Sequence, residues 1–230
     1  MLGNFDFDVI VNSLPYLFFT GMAFTLKLTI LAMLGGIFLG TLLAMMRLSS
    51  IRPLSLFAAG YVNFIRATPL ILVIFWFYFL MPYIMAWILK SERPVQVGPF
   101  MSSLVTFIIF EAAYYCEIMR SGIQSIPRGQ IFASQALGMN YWGTMGNVVL
   151  PQAFRNMLPV LLTQTIVLFQ DVSLVYVLSI TDFVGAASKI AQRDNRMVEM
   201  YVFVAVVYFI LCWGLSKGVK RIEDRISIIR

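Results

Sequence analysis

Five stretches of this chain are each long and apolar enough to cross a hydrocarbon core, which takes about 20 residues in a helix, and they leave few folds open. Hydrophobic residues make up 60% of the 230 residues and charged residues 12%. Such a chain has too little polar surface to cover itself in water. In lipid, backbone groups must be satisfied within the segment, so the spans are helices. The spans fall at about 19–46, 56–82, 100–120, 159–180 and 198–218, giving one all-α membrane domain over 19–218. The second span holds Arg66 and Pro69, and 53–66 reads equally as an interfacial helix with the crossing starting near Pro69.

The net charge of +6 would suit nucleic acid in a soluble protein, but here the basic residues lie between apolar stretches, so no nucleic-acid partner is expected. Their distribution gives the orientation. With the C-terminus inside, Arg47, Arg52, Arg120, Arg128, Arg155, Lys217, Lys220, Arg221, Arg225 and Arg230 are cytoplasmic. Lys90, Arg93, Lys189, Arg193 and Arg196 are then outside. Ten against five follows the positive-inside rule. Residues 1–18 become an outer N-terminal segment, with no basic n-region and with Asp6 and Asp8, so no cleaved signal peptide is expected; 219–230 becomes a cytoplasmic tail. Cys116 and Cys212 lie in apolar stretches without CxxC spacing, and there is no histidine, so they read as packing residues and no metal site is expected.

The connection 121–158 lies inside in this orientation. In FASQALGMNYWGTMGNVVLP, apolar residues recur at helical spacing on both sides of Gly138, predicting two short helices turned at that glycine. Composition alone allows an amphipathic segment lying on the lipid surface equally well.

The motifs of this loop resemble those of the membrane permeases of binding-protein-dependent ABC importers, in the polar amino-acid (histidine/glutamine/glutamate) branch. That family's loop carries Glu-Ala-Ala, three residues, Gly, nine residues and Ile-x-Leu-Pro. Phe132, Ala133 and Ser134 occupy the first three positions, Gly138 follows, and Val148, Val149, Leu150 and Pro151 close it. Phe132 replaces the glutamate and Ser134 the second alanine. The literal Glu111-Ala112-Ala113 lies in the third span without the glycine spacing and is a decoy. Gly21-x-x-x-Thr25, Arg66-Ala67-Thr68-Pro69, Glu117-Ile118-Met119-Arg120, Leu150-Pro151-Gln152-Ala153-Phe154-Arg155 and Gln170-Asp171-Val172-Ser173-Leu174 extend the match, with Val172 where the branch has threonine. The chain most resembles the glutamate/aspartate permeases of Gram-negative inner membranes, in the smaller of their paired subunits. The resemblance implies a type I importer permease with a sister permease as heterodimer, two ATPase subunits that receive the 131–147 helices, and a periplasmic amino-acid-binding protein. ATP and Mg would be used by the ATPase, with no cofactor on this chain.

Catalysis by the chain itself is not expected, because the sequence has no GxxxxGK[ST], GxSxG or HExxH and no histidine base. A self-powered secondary transporter should show internal repeats with broken spans, and none is found; a membrane-embedded enzyme lacks a nucleophile and base. A permease for another polar amino acid stays open. Ionisable residues inside spans are costly and mark pathways or structural pairs. Arg66, Gln164, Gln170, Asp171 and Ser173 are pathway candidates, Gln164 and Asp171 being two helical turns apart. Glu111, Glu117 and Arg120 are structural ion-pair candidates, and Arg66 pairing with Glu111 or Glu117 is the competing reading. Lys27 is expected to snorkel to the outer headgroups. Gly36 and Gly40 form a small-xxx-small pair for close helix approach, within the chain or between chains.

Overall fold

A computed structural model describes residues 5–226. The last residue of the expected basic tail, Arg230, and positions 1–4 of the expected outer segment lie outside the described residues. The order is α1 (Phe7–Tyr16), a π-helical turn (Leu17–Met22), α2 (Ala23–Leu48), α3 (Arg52–Ala67), α4 (Leu70–Ile88), α5 (Pro99–Gln124), α6 (Arg128–Ala136) and α7 (Tyr141–Thr144). A second π turn (Met145–Val149), α8 (Leu150–Asp171), a 3-10 segment (Val172–Leu178), α9 (Phe183–Asp194) and α10 (Met197–Ile226) complete it. Five of these runs are long and apolar enough to cross a membrane: Phe7–Leu48, Leu70–Ile88, Pro99–Gln124, Tyr141–Leu178 and Met197–Ile226.

The described part of the domain is organised around α5, whose main neighbour is α2. A Cβ on Gly40 would lie 2.9 Å from the Tyr115 Cβ and 3.0 Å from the Ala112 carbonyl oxygen, and one on Gly36 would lie 3.0 Å from the Glu111 Cβ. The glycine pair therefore serves packing within the chain. Cys116 is buried in the same cluster with Ala112, Ala113 and Tyr115, and Cys212 in a second one with Phe183 and Met200, both as free thiols.

Three expected boundaries differ. The first span does not begin at 19: α1 runs without a break into α2, because Ile10, Leu17 and Met22 pack with Phe183, Ala186 and Met200 of α9 and α10. Asp6 starts α1 by accepting a 3.0 Å hydrogen bond from the Asp8 N–H. The second span is not one helix over 56–82. Pro69 holds Thr68 extended (φ −101°, ψ 131°), separating α3 from α4. The 121–158 connection is shorter than expected, since its second arm continues as one rod through α8; the π turn at Met145–Val149 sits where Pro151 removes an N–H and crowds the preceding turn.

The Gly21–Thr25 pair docks α9. A Cβ on Gly21 would lie 2.9 Å from the Ala186 Cβ, and the Thr25 hydroxyl accepts from the Phe183 N–H at 3.0 Å while donating to the Gly21 carbonyl at 3.2 Å. Asp182 caps α9, accepting from the Val184 and Gly185 N–H groups at 3.0 and 2.9 Å. Burial pushes the Asp182 carboxyl up to about 6, against the pull of these bonds.

Two outcomes follow from this packing. Gly40→Ala lowers the stability of the detergent-solubilised protein by about 1–3 kcal/mol through overpacking, whereas Gly60→Ala, with nothing within 4 Å of the added carbon, does not; thermal unfolding of both variants checks this. Because folding favours protonated Asp182, its contribution to stability declines as pH rises from its ordinary 3.8 to about 6 and is constant above. Asp182→Asn retains a capping acceptor and loses that slope, which unfolding midpoints across this window will show.

Candidate functional site

Two regions combine chemistry with exposure. The first is the turned knob on one side of the domain. α6 ends at Leu137, and Gly138 takes φ +80°, a left-handed conformation open to glycine at no steric cost. The Gly138 N–H bonds the Gln135 carbonyl at 2.9 Å and the Met139 N–H the Ser134 carbonyl at 3.1 Å, a Schellman closure. Asn140 then caps α7, accepting from the Gly143 N–H at 2.8 Å. Ser134, which replaces an alanine of the family pattern, is buried and bonds the Thr144 hydroxyl at 2.9 Å, pinning the two arms together. Gln152 on α8 adds a 2.6 Å bond to Gln130 on α6.

Phe132, Leu137, Tyr141 and Trp142 stand on this knob with 63%, 83%, 66% and 79% of their surfaces exposed. Ala133 is exposed beside Phe132, and Leu150 and Pro151 lie exposed where the second arm enters α8. Exposed aromatic and aliphatic side chains grouped on one knob mark a surface that meets another protein or lipid rather than a core.

The second region lies within the membrane-spanning part, where α3, α5 and α8 meet. Glu111 is fully buried, and its two carboxylate oxygens accept from Gln164 Nε2 at 3.2 and 3.1 Å. Glu111 is therefore held by an amide, not by the cation that an ion-pair role would require. Glu117 does form ion pairs, with Arg120 three residues on and with Arg47 at the end of α2. Arg66 pairs with neither acid. It is exposed, and its guanidinium lies over the Tyr114 ring at 5.6 Å from the centroid. Tyr114 is within electrostatic reach of Arg66, Glu111 and Asp171 together.

Of the pathway candidates, Arg66 thus stacks on Tyr114 with Asp171 within electrostatic reach of the same ring, and Gln164 bonds the neighbouring Glu111. Gln170 is exposed and Ser173 half-buried, one on each side of the point where α8 tightens into the 3-10 segment. A 3-10 segment of this kind is a common way for an α-helix to end. Arg47 and Tyr114 were not candidates from the sequence. Lys27 is exposed as expected for a snorkelling lysine, and its ammonium also lies 5.2 Å from the Phe100 ring centroid. Between the two regions, Glu117, Ser121, Ser125 and Asn156 line a cavity of about 300 Å³. Among the described residues, no three acidic, cysteine or histidine side chains converge on a point where a metal could sit.

This architecture has known counterparts. Residues 36–227 match the model of the family described as binding-protein-dependent transport system inner membrane component. The glutamate/aspartate import permease protein GltK of Escherichia coli O6:H1 is 50% identical over 222 residues, covering 96% of this chain and 98% of that protein. The glutamine transport system permease protein GlnP of Escherichia coli K12 is 32% identical, covering 98% of this chain and all of that protein. Among solved structures, an amino acid ABC transporter crystallised with histidines superposes with a TM-score of 0.86 at 34% identity, over 96% of this chain and 98% of its counterpart. The MetNI methionine transporter, in an inward-facing form, shares the fold at 20% identity and a TM-score of 0.71, over 94% and 98% of the two chains.

The Arg47–Glu117 pair ties α2 to α5, and both partners are only about one-fifth exposed. Glu117→Ala, by leaving two guanidinium groups without their acid, costs about 1–3 kcal/mol. Combining it with Arg47→Ala is less than additive, and a double-mutant cycle in detergent measures that coupling.

Proposed function

Because this chain belongs to the binding-protein-dependent transport system inner membrane component family, we propose that it serves as the permease subunit of an ATP-driven importer for glutamate and aspartate. The protein is a multi-pass inner-membrane permease of an amino-acid ABC transporter, and its role is transport. The acidic substrate rests on the 50% identity to a glutamate/aspartate import permease along nearly the whole of both chains.

The observation that carries the mechanism is the exposed apolar tip turned at Gly138, whose second arm runs from Tyr141 without interruption into α8. Two ATPase subunits, using ATP and Mg, would each receive such a knob, one from this chain and one from its sister permease. The knob's second arm and α8 form one helical run from Tyr141 to Leu178, so displacement of the tip on nucleotide-driven closure tilts the polar segment carrying Gln164 and Asp171. Gln170 and Thr163 are exposed on the membrane-crossing run Tyr141–Leu178, and Arg66 is exposed at the end of α3 beside the start of the second crossing. Polar groups there are costly against lipid, which supports a sister subunit covering them around a water-filled path. Arg66 suits a substrate carboxylate, and Asp171 suits its ammonium. A periplasmic binding protein delivers substrate to the outer face. The arginine and lysine distribution supports an outside N-terminus, a cytoplasmic C-terminus and a cytoplasmic knob.

Uptake of radiolabelled glutamate and aspartate tests this reading, in a strain without its own acidic amino-acid importers and with histidine, arginine and glutamine as unlabelled competitors. Uptake that depends on this gene and resists those competitors is expected. Loss of a different amino acid's uptake on deletion of the gene would overturn the substrate assignment. Gly138→Val, placing a branched residue at φ +80°, deforms the tip and lowers uptake at least tenfold at equal abundance while ATP hydrolysis continues. Wild-type uptake by this variant would defeat the coupling role.

A further inference from the structure

We infer that Glu111 is a positioning residue: it turns the Gln164 side chain so that its carbonyl oxygen faces the transport path as an acceptor for the α-ammonium of the transported amino acid. This rests on the importer reading above and adds to it the residue that sets one polar contact.

A primary amide has two chemically opposite ends, an NH₂ that only donates and an oxygen that only accepts. Gln164 Nε2 lies nearly equidistant from both Glu111 oxygens, at 3.2 and 3.1 Å. Both Glu111 oxygens stand at the NH₂ end of Gln164, which leaves the amide oxygen turned away from Glu111. Among the described residues the Gln164 oxygen has no hydrogen-bond partner, and it is not among the buried unpartnered polar atoms, so it reaches open space. Asp171 lies seven residues along the same helix, about 10 Å away on the same face. The path side of α8 thus presents acceptors at two levels, with Tyr114 and the Arg66 guanidinium supplied from neighbouring helices.

Glu111 cannot swing to another role. Its Cβ lies 3.0 Å from where a Gly36 side chain would begin, and its surface is fully covered. A buried carboxyl among Phe107, Phe110, Ala112 and Tyr115 adds little that an apolar residue would not supply for stability alone. Setting the orientation of an amide is a task that only a hydrogen-bonding side chain performs. Glu111→Gln puts an NH₂ donor in place of one of the two oxygens and removes the selection, because that donor bonds the Gln164 oxygen and turns the amide round.

The test uses the full transporter in proteoliposomes, with its ATPase, sister permease and binding protein, and reads both ATP hydrolysis and uptake of labelled L-glutamate, L-aspartate and L-glutamine. The α-ammonium is common to all three. Glu111→Gln and Gln164→Leu should each lower uptake about tenfold, the worth of one hydrogen bond to a charged group. Hydrolysis stimulated by loaded binding protein should persist, so ATP consumed per amino acid rises. The exchanged pair Glu111→Gln with Gln164→Glu keeps one carboxylate between the two positions and again presents an acceptor to the path, and should restore uptake. Wild-type uptake by Glu111→Gln beside a defective Gln164→Leu overturns the positioning role and leaves the pathway assignment standing. Parallel loss of hydrolysis and uptake in Glu111→Gln, or failure of the exchange to restore uptake, assigns Glu111 to structure only and also overturns it. Wild-type uptake by Gln164→Leu removes the pathway assignment as well, and a wild type that accumulates none of the three amino acids removes the importer reading itself.

Discussion

The contact between α2 and α5 at Gly36 and Gly40 sets the geometry of everything packed around it. Lipid tails offer no hydrophobic drive for helices to associate, so close approach and dispersion contacts supply the attraction. Bare glycine backbone lets α5 settle within about 3 Å of the position a side chain would take. That closeness seals Glu111 between helices, brings Tyr115 within 3.3 Å of Thr165 on α8, and sets Arg47 beside Glu117. A single packing seam therefore aligns the polar groups of three helices at different depths.

Those groups divide by depth and by task. At one end of α5, Glu117 takes charge from two arginines and fastens α2 to α5. Toward the middle, Glu111 holds only the Gln164 amide, while Asp171 and Arg66 remain without an ion-pair partner among the described residues. Charges satisfied within the chain belong to its architecture. Charges left without such a partner remain available to water, to another subunit or to a transported solute.

The mechanical elements have equally local causes. Gly138 reverses the chain between two short arms, Ser134 and Thr144 lock those arms, and the π turn before Pro151 lets the second arm continue into the membrane without a break. The second arm and α8 thus make one continuous helical run from Tyr141 to Leu178. The aromatic residues at the tip, Phe132 among them, show that this knob presents an apolar surface where the family pattern has a glutamate.

From residues alone one can read the five crossings, the glycine turn and the family, because each depends on local properties: apolar length, a backbone angle that favours glycine, and motif spacing. The competing reading of 53–66 as a separate helix was also present in the sequence, in Pro69. Partner choice between helices was not legible. The Glu117–Arg120 pair, three residues apart on one helix, was among the candidates, but only helix packing decided that Glu117 also meets Arg47, Glu111 an amide and Arg66 an aromatic ring. The extension of the first helix back to Phe7 was likewise decided by α9 and α10, which bury its apolar face from far along the chain. Composition and spacing thus determined what kind of protein this is, while the pairing of its polar groups waited on tertiary contacts, because an interaction between residues some fifty positions apart leaves no trace in local sequence.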